Sequence, residues 1–402
     1  MRSPLLVPLL VASLTLNAMY GAIAGVLVPA QIARLDPEGK ELSLAVIMTL
    51  SSLITLLVHP AAGALSDRTR SRWGRRAPWI GGAAVGSAVA MVALGRAETV
   101  LAVGVGWLVL QPLLNVVEAP LDAVVADRIE PDARPRAAAF FGGGAAVGLA
   151  IGAAVAGAAS AHAPALLTVL AAALVVVMLS FAALIARRPS ASVQPRGPSL
   201  PLRAAWSSPN LRRVFAARFV LVLGQQLVMG YLLYIVMAFT ASSPDEAGGT
   251  VSLLIGGHIL CIVLSALLVG RRVGRRRVPW ILGATLLIGA ALLVPLLAPN
   301  LAGLAIYAAL AGIGRGVYLT ADLALMIDVL PSSGDRARDL GVLGLATIVP
   351  QTLAPAIAGT LLTVTGNAYW LLFAAASVAA FASIPVIAHV DERVAEGEPI
   401  TP

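Results

Sequence analysis

Charge is scarce in this chain of 402 residues: only 12% are Asp, Glu, Lys or Arg, while 59% are hydrophobic. A soluble domain carries about 25% charged residues. Because a core of this size cannot hide so much apolar surface from water, part of that surface must face lipid. The composition therefore excludes an ordinary soluble protein and indicates a membrane protein.

Cysteine and lysine are almost absent, with Cys261 and Lys40 the only examples. A single cysteine excludes a disulfide within the chain and a thiolate metal site. The chain also lacks the signatures GxxxxGK[ST], HExxH, GxSxG and CxxC, and we interpret Gly142–Gly144 as a close-packing patch, not a phosphate-binding loop. We therefore expect no ATP hydrolysis, no other enzymatic activity, no metal and no cofactor.

Twelve apolar runs of about 20 residues are present, each long enough to cross a bilayer as a helix. They cover residues 6–33, 42–65, 78–96, 99–126, 137–160, 164–187, 213–240, 249–270, 279–298, 301–329, 340–362 and 367–389. The runs are too long for membrane strands and do not alternate polar with apolar residues. The sequence predicts an all-α membrane protein with twelve transmembrane helices, the first too long for a signal peptide.

The arginines are concentrated in loops on one side of the predicted membrane. They follow the second, fourth, sixth, eighth and tenth runs, whereas the opposite loops hold only Arg34, Lys40 and Arg96. Because cytoplasmic loops carry the excess of Lys and Arg, we predict that both termini are cytoplasmic, in a bacterial inner membrane. This placement explains the net charge of +8 without a nucleic-acid partner.

The two halves of the chain repeat. The segment Gly74–Ile80 reappears as Gly274–Ile281, and Asp122 reappears as Asp322. A parallel repeat of this kind predicts two pseudo-symmetric six-helix bundles. The predicted domains are an N-terminal bundle at 1–187, a cytoplasmic linker at 188–212, a C-terminal bundle at 213–389 and a cytoplasmic tail at 390–402.

The loop after the second run holds the most specific motif of the chain. The loop resembles the signature that the major facilitator superfamily carries between its second and third transmembrane helices. The matching residues are Gly63, Asp67, Arg68, Gly74, Arg75 and Arg76. The fuller string 69–80 is similar to the glycoside–pentoside–hexuronide symporters and the sucrose-type carriers. We attribute the two glycines to a tight turn. The resemblance implies that these residues form a gating latch; for the outer arginines, a purely topological role is the alternative.

Polar residues also occur at membrane depth. Placing them in lipid costs free energy, which makes them functional candidates. The fourth run carries a polar stripe on one helical face, at Gln111, Asn115, Glu118 and Asp122. The tenth run carries a second stripe, at Arg315, Tyr318 and Asp322. We expect both stripes to line one central pathway. Amides and phenols that suit a hydroxyl-rich ligand complete the predicted wall, at Asn17, Tyr20, Gln225 and Gln351.

Glu118 is the main candidate for coupling. Its affinity for a proton depends on burial and on neighbouring charges, so it can take up and release a proton between states. We expect Glu118 to carry the coupling proton or to help bind the substrate; a structural ion pair, for instance with Arg315, is the alternative. Asp122 and Asp322 are interpreted as gate or latch residues. His59 is interpreted as a packing residue, with a proton-relay role as the alternative, and Arg218 as a side chain that snorkels to the interface.

The resemblance bears on the coupling ion. The two acids that form the sodium site of melibiose-type members correspond to Thr55 and His59, neither of which is a carboxylate. The acid that such carriers place before a proline in the fourth helix is present as Glu118, while their arginine in the fifth helix is replaced by Ala139. The resemblance therefore favours proton coupling over sodium coupling.

These observations predict a secondary transporter that works by alternating access and takes up a sugar or glycoside together with H+. The expected partners are this small molecule, the proton and the lipid bilayer, and we expect a monomer. An exporter of drugs or amphiphiles, or a lysolipid carrier of the same fold, is the alternative. A membrane enzyme or receptor would need a nucleophile–base set or a large sensor domain, and the sequence shows neither.

Overall fold

The computed structural model describes residues 4–130, 133–187, 209–270, 272–273, 276–328 and 336–390. All regular elements within these ranges are helices, which confirms the predicted fold class. In chain order they are α1 (Leu6–Leu35), α2 (Lys40–Arg68), α3 (Ala77–Leu94), α4 (Val100–Arg128), α5 (Arg134–Ala159), α6 (Ala163–Ala186), α7 (Pro209–Met229), α8 (Leu232–Thr240), α9 (Pro244–Gly270), α10 (Val278–Leu297), α11 (Leu301–Asp328), α12 (Arg336–Val364) and α13 (Trp370–Ala388).

The number of crossings agrees with the predicted twelve. By length and composition, ten helical stretches of the described chain could span a membrane, or eleven if the bent pair α7 and α8 forms one span. One of the ten is a stretch of 51 residues, Arg136–Ala186, which a short 3-10 turn at Ser160–His162 divides into α5 and α6. At 1.5 Å per residue it is about 76 Å long, enough for two crossings.

Large apolar side chains cover the outside of these helices. Leu57, Leu101 and Leu253 are each more than 70% exposed. Continuous exposure of this kind is what a lipid-facing surface requires. The predicted linker at 188–212 lies outside the described residues up to position 208, and the tail lies outside them from 391.

Polar caps set several helix starts. Ser243 and Glu246 form a reciprocal capping box: the Ser243 amide donates to the Glu246 carboxylate at 2.9 Å, and the Glu246 amide donates to the Ser243 hydroxyl at 3.4 Å. Helix α9 therefore begins at Pro244, five residues before the predicted run. Thr99 caps α4 by accepting from the Ala102 amide at 3.1 Å, and Asn300 caps α11 in the same way through Gly303.

Two helices depart from regular geometry. Helix α1 widens to a π-helical turn at Ile23–Leu27, because Pro29 lacks the amide that would donate to Gly25 and its ring crowds that carbonyl. The predicted run 213–240 is broken: α7 ends at Met229, and α8 begins at Leu232 with a bend of 50°. Gly230 lies at the break, between the two helices.

The described helices form two compact units. The first lies within Met1–Pro195 and Val236–Gly256, and the second within Arg196–Ile235 and Gly257–Pro402. Within the first unit α1 packs on α5, and α3 packs on α4 and α6; within the second, α7 packs on α12, and α10 packs on α11 and α13. The same pairs of helices thus meet in each half, as the repeat predicts. The domain boundaries at 187 and 213 remain a prediction.

A glycine stripe allows α1 and α5 to approach closely. A Cβ atom at Gly144, Gly148 or Gly152 would overlap the backbone carbonyl of Leu10, Leu14 or Ala18 of α1, respectively. Close approach through small residues is how membrane helices associate. The prediction that Gly142–Gly144 form the packing patch was therefore wrong for two of the three residues. Gly142 and Gly143 have open space around them, because the stripe repeats every four residues.

Alanine substitutions on the two faces of α5 should have opposite effects. We expect Gly148→Ala to reduce the free energy of unfolding by about 1–3 kcal/mol through overpacking. Gly143→Ala, the matched control, should be neutral or stabilising by up to about 1 kcal/mol, since alanine favours the helix. Thermal unfolding of the purified variants in detergent measures both, and equal effects would contradict the packing described for α1 and α5.

Candidate functional site

The first polar cluster lies among α1, α2 and α4. We define it as Tyr20, His59, Asn115, Glu118 and Asp122. The Tyr20 hydroxyl donates to Glu118 Oε2 at 3.0 Å and accepts from Asn115 Nδ2 at 3.1 Å. Asn115 is buried, whereas Glu118 is partly exposed. The carboxyl of Glu118 therefore has a neutral hydroxyl as its donor.

Hydrogen-bond chemistry fixes the orientation of the next two residues. Asn115 Nδ2 also lies 2.9 Å from the Gln111 carbonyl, which can only accept, so Asn115 Oδ1 must face His59. His59 Nδ1 is 3.1 Å from that oxygen and must carry the hydrogen. His59 Nε2 then faces Asp122 Oδ2 at 4.0 Å, too far for a direct hydrogen bond. Glu118 and Asp122 are thus linked through polar side chains, with one gap.

The sequence builds this cluster from helical spacing. Asn115, Glu118 and Asp122 lie three or four residues apart on α4 and share one face. Tyr20 lies on α1 just before the π-helical turn, and His59 lies on α2 just before Pro60. Within the first unit, no described Lys or Arg pairs with Glu118.

The second polar cluster lies among α7, α11 and α12. We define it as Arg218, Gln225, Arg315, Tyr318, Asp322 and Thr347. Arg218 forms a salt bridge with Asp322, whose side chain is only 3% exposed, and its Nε donates to Thr347 Oγ1 at 2.9 Å. The Tyr318 hydroxyl also interacts with the Asp322 carboxylate. Arg218 and Asp322 therefore form a largely buried ion pair within the second unit.

Arg315 has a different environment. Its Nη1 donates to Gln225 Oε1, an amide oxygen from α7. Arg315 is partly exposed, unlike the buried Tyr318 and Asp322 one and two helical turns further along α11. Among the described residues of this unit, no carboxylate forms a salt bridge with Arg315.

A third group of polar residues, the loop network, joins the ends of α2, α3 and α4. Arg76 hydrogen bonds to Ser66 and Asp67, and its Nε donates to Asp127 Oδ2 at 3.0 Å. Arg75 Nη2 lies 2.8 Å from the same Asp127 oxygen as an ion pair, without the angle of a hydrogen bond. Asp127 thus neutralises two arginines that the motif places side by side.

The glycines of the motif are not equivalent. Gly74 has φ of +83° in the turn between α2 and α3, a conformation that favours glycine. Gly63 is not in a turn. It lies inside α2, five residues before the helix ends, and its carbonyl accepts from Ser66 Oγ at 2.8 Å. The attribution of Gly63 to a tight turn was therefore wrong, because α2 continues to Arg68.

The structure brings most of the predicted pathway residues into the two clusters. Tyr20, Asn115 and Glu118 meet in the first, and Gln225, Arg315 and Tyr318 lie in the second. Asp122 and Asp322 belong to these clusters and not to the loop network. The other predicted residues stand apart: Asn17 donates to the Ser13 carbonyl of its own helix at 3.0 Å, Gln111 contributes its carbonyl, and Gln351 and Arg68 are exposed. Their functional roles remain predictions.

The contacts of four residues in these groups could not be predicted from the sequence. His59 contacts Asn115 and does not serve only as packing, and Arg218 pairs with Asp322 and does not snorkel. Thr347 and Asp127 complete the second cluster and the loop network. An ionisable residue within a membrane run itself indicates a polar partner or a functional role, and this applies to His59 and Arg218. For Asp127 no periodicity points to Arg75 or Arg76, since the contact depends on how α4 packs.

Removing the Asp127 charge should destabilise the first unit. We expect Asp127→Asn to reduce the free energy of unfolding by about 2 kcal/mol, because two partly buried guanidinium groups lose a charged acceptor. Glu130→Gln is the control, since Glu130 is exposed on the same segment. Thermal unfolding in detergent measures both. Identical midpoints for the two variants would show that Asp127 does not hold the network.

Comparison with known proteins identifies the class. The family model described as Major Facilitator Superfamily matches residues 10–245 and 214–401. The chain therefore belongs to the Major Facilitator Superfamily, and it is a multi-pass membrane protein of a family of transporters. Comparison with curated protein sequences finds no match.

Solved structures share the fold. A bacterial homolog of the human lysosomal transporter Spinster, solved inward-facing and unoccupied, is 17% identical with a TM-score of 0.68, covering 97% of this chain and 95% of that chain. A point mutant of the nucleoside transporter NupG is 14% identical with a TM-score of 0.71, covering 95% of this chain and 99% of that chain. At such identities the likeness shows the fold alone.

Proposed function

We propose that this transporter is a secondary carrier that takes up a sugar or glycoside together with H+ by alternating access. The observation that carries the proposal is the environment of Glu118. Its carboxyl lies at membrane depth, accepts from the Tyr20 hydroxyl at 3.0 Å, and has no described cation as a partner in its unit.

An uncompensated carboxylate at this depth is costly, and a proton is the simplest way to remove its charge. Asp322 contrasts with it, because Arg218 already neutralises that carboxylate. Glu118 is therefore better suited to bind a proton in one state and to lose it in another. His59 and Asp122 supply further proton-binding groups along the same cluster, in which His59 Nδ1 lies 3.1 Å from Asn115 Oδ1.

The neutral groups of the first cluster support a hydroxyl-bearing substrate. Phenol and amide groups both donate and accept, as sugar hydroxyls do. Gln111 Oε1 has no hydrogen-bond partner among the described residues, although it is buried from solvent. An acceptor left in this way next to Asn115 would be satisfied by a ligand hydroxyl or by water.

The arginine distribution supports the orientation. We propose a bacterial inner-membrane location with both termini cytoplasmic, since Arg68–Arg76 and the other arginine-rich loops lie on one predicted side. The bundles at 1–187 and 213–389 would be the alternating elements, in a monomer. A reporter active only in the cytoplasm, fused to the C-terminus, checks this orientation: a silent fusion would overturn it.

Uptake into vesicles tests the function. Purified protein is reconstituted, and a pH gradient, acidic outside, is imposed while labelled sugars and glycosides are offered one at a time. Nucleosides are included because a nucleoside transporter shares the fold. We expect accumulation of a sugar or glycoside that collapses with a protonophore and is unchanged when sodium is replaced by choline. Accumulation that needs sodium, or none for any sugar, would overturn the proposal.

A further inference from the structure

We propose that the groove between α3 and α6 binds an anionic phospholipid of the membrane, whose acyl chain fills the groove and whose phosphate pairs with Arg96 at its end. The groove lies within the first unit and contains no residue of either polar cluster. The site is therefore separate from the proposed transport pathway and does not depend on which substrate the protein carries.

The groove is large enough for part of a lipid. Its volume is about 620 Å³, within the range of roughly 300–1,000 Å³ that ligand sites occupy. Four alanines and four valines line it, together with Arg96 and Thr168. Along α6 it extends from Thr168 to Val176, a distance of about 12 Å at 1.5 Å per residue.

Small side chains give the groove its depth. Ala171 is only 3% exposed and lies at the floor, whereas Val89 and Val176 are 68% and 65% exposed and form the rims. No hydrophobic effect separates protein from lipid inside a bilayer, so the fit of packed atoms decides which molecule stays. A chain of methylene groups lying between the two rims would gain dispersion contacts with both helices.

Arg96 supplies a positive charge at one end of the groove. Gly95 brings this end close to α6, because a Cβ atom at Gly95 would lie 3.1 Å from the Cα atom of Pro164. The Thr168 hydroxyl donates to the Pro164 carbonyl at 2.8 Å, so its hydrogen is already engaged. Arg96 is exposed, and no carboxylate of the described chain forms a salt bridge with it, including that of Glu98 two residues further on.

The other two cations on this predicted side of the membrane have protein partners. Arg34 pairs with Asp245 at 2.9 Å, and Lys40 pairs with Glu41 at 3.0 Å. Arg96 is the exception, and it is also the one that lies at an apolar groove. A guanidinium binds a phosphate group through two parallel N–H···O bonds, which makes a lipid headgroup a suitable partner.

A second groove, between α3 and α4, lacks this combination. It is smaller, at about 330 Å³, and no charged residue lines it. Its one polar lining group, Trp79 Nε1, donates to Thr69 Oγ1 at 2.8 Å. We therefore assign the anionic lipid to the groove between α3 and α6.

The two parts of the site together define the class of ligand. A free phosphate ion would leave the apolar groove unused, and an uncharged acyl lipid would leave Arg96 unpaired. A phospholipid uses both. A headgroup with a net negative charge neutralises Arg96 without bringing a second cation to the site, so an anionic lipid is favoured over a zwitterionic one.

Photochemical crosslinking tests the site in the full-length purified protein. The probes are phosphatidylglycerol and phosphatidylcholine, each with a diazirine in one acyl chain, and peptide mass spectrometry locates the adducts. We expect phosphatidylglycerol to label α3 and α6 preferentially. Because a hydrogen-bonded charge pair distinguishes the two lipids, labelling of these helices should favour phosphatidylglycerol by about tenfold at equal concentration.

Two variants test the headgroup contact. Arg96→Gln should reduce labelling of α3 and α6 by phosphatidylglycerol about tenfold, to the level of phosphatidylcholine. Glu98→Gln is the control, since Glu98 is exposed on the same loop. It should be labelled at least as strongly as the wild type.

Two further variants test the acyl-chain contact. Ala172→Phe places a large side chain in the groove and should abolish labelling of α3 and α6 by either lipid. Ala173→Phe is the matched control, because Ala173 does not line the groove. Both alanines are exposed, so neither substitution disturbs the core.

The outcomes that would overturn the proposal are distinct. Adducts spread evenly over the lipid-facing helices, or labelling of α3 and α6 that survives Ala172→Phe, would show that the groove is not a lipid site. Equal labelling by the two lipids, or full labelling of Arg96→Gln by phosphatidylglycerol, would show that Arg96 does not select an anionic headgroup.

Discussion

Glu118→Gln is expected to abolish accumulation of substrate in vesicles with a pH gradient. For one coupled proton, a gradient of one pH unit supports about tenfold accumulation by the wild type. Glutamine resembles the protonated carboxyl but cannot release a proton, so the variant should only equalise substrate across the membrane. Exchange of labelled for unlabelled substrate requires no release of the proton and should continue near the wild-type rate.

The control for this variant is Glu98→Gln, the same chemical change at an exposed loop position. It should accumulate substrate as the wild type does. Tyr20→Phe removes the hydroxyl that donates to Glu118 at 3.0 Å and should slow accumulation without abolishing it. Full accumulation by Glu118→Gln would exclude Glu118 as the coupling residue.

Asp322→Asn is expected to have the largest effect on stability. The variant leaves Arg218 charged and without a carboxylate partner in the second unit. Breaking a buried ion pair by removing one partner costs about 3–5 kcal/mol. The thermal midpoint of the purified protein should fall accordingly, with or without substrate. The double variant Arg218→Met with Asp322→Leu should recover most of the loss, because both charges of the pair are then removed.

The matched control is Asp245→Asn. Asp245 also pairs with an arginine, Arg34, at 2.9 Å, but the two side chains are 43% and 34% exposed. An exposed pair of this kind contributes about 0–1 kcal/mol. Similar losses for Asp322→Asn and Asp245→Asn would show that the Arg218 pair is not buried as described.

Much of the fold follows from the sequence, because run length and residue spacing are strong signals in a membrane protein. The long apolar runs fix the helices, and the repeat of Asp122 as Asp322 predicts that the halves share a packing scheme. Local sequence signals predict less well where each helix begins and ends. The capping box at Ser243 and Glu246 advances the start of α9, and the break at Gly230 divides a run that hydrophobicity alone leaves continuous.

The polar clusters were predictable in part. Helical spacing places Asn115, Glu118 and Asp122 on one face, and the structure joins two of them to Tyr20 and His59. The partners themselves could not be predicted, because they depend on which helices pack together. Spacing on a single helix cannot assign Arg218 to Asp322, which lies 104 residues further along the chain.

Reactivity of engineered cysteines toward a charged, water-soluble methanethiosulfonate tests the central claim, that the polar face of α4 meets water and not lipid. The background is Cys261→Ser, which removes the only cysteine. Glu118→Cys and Asp122→Cys should react and be protected by substrate, since the Asp122 side chain is 45% exposed and a thiolate forms where water reaches it. Val105→Cys and Val109→Cys, at positions 55% and 49% exposed on the apolar face, should not react. The reverse pattern would contradict the account.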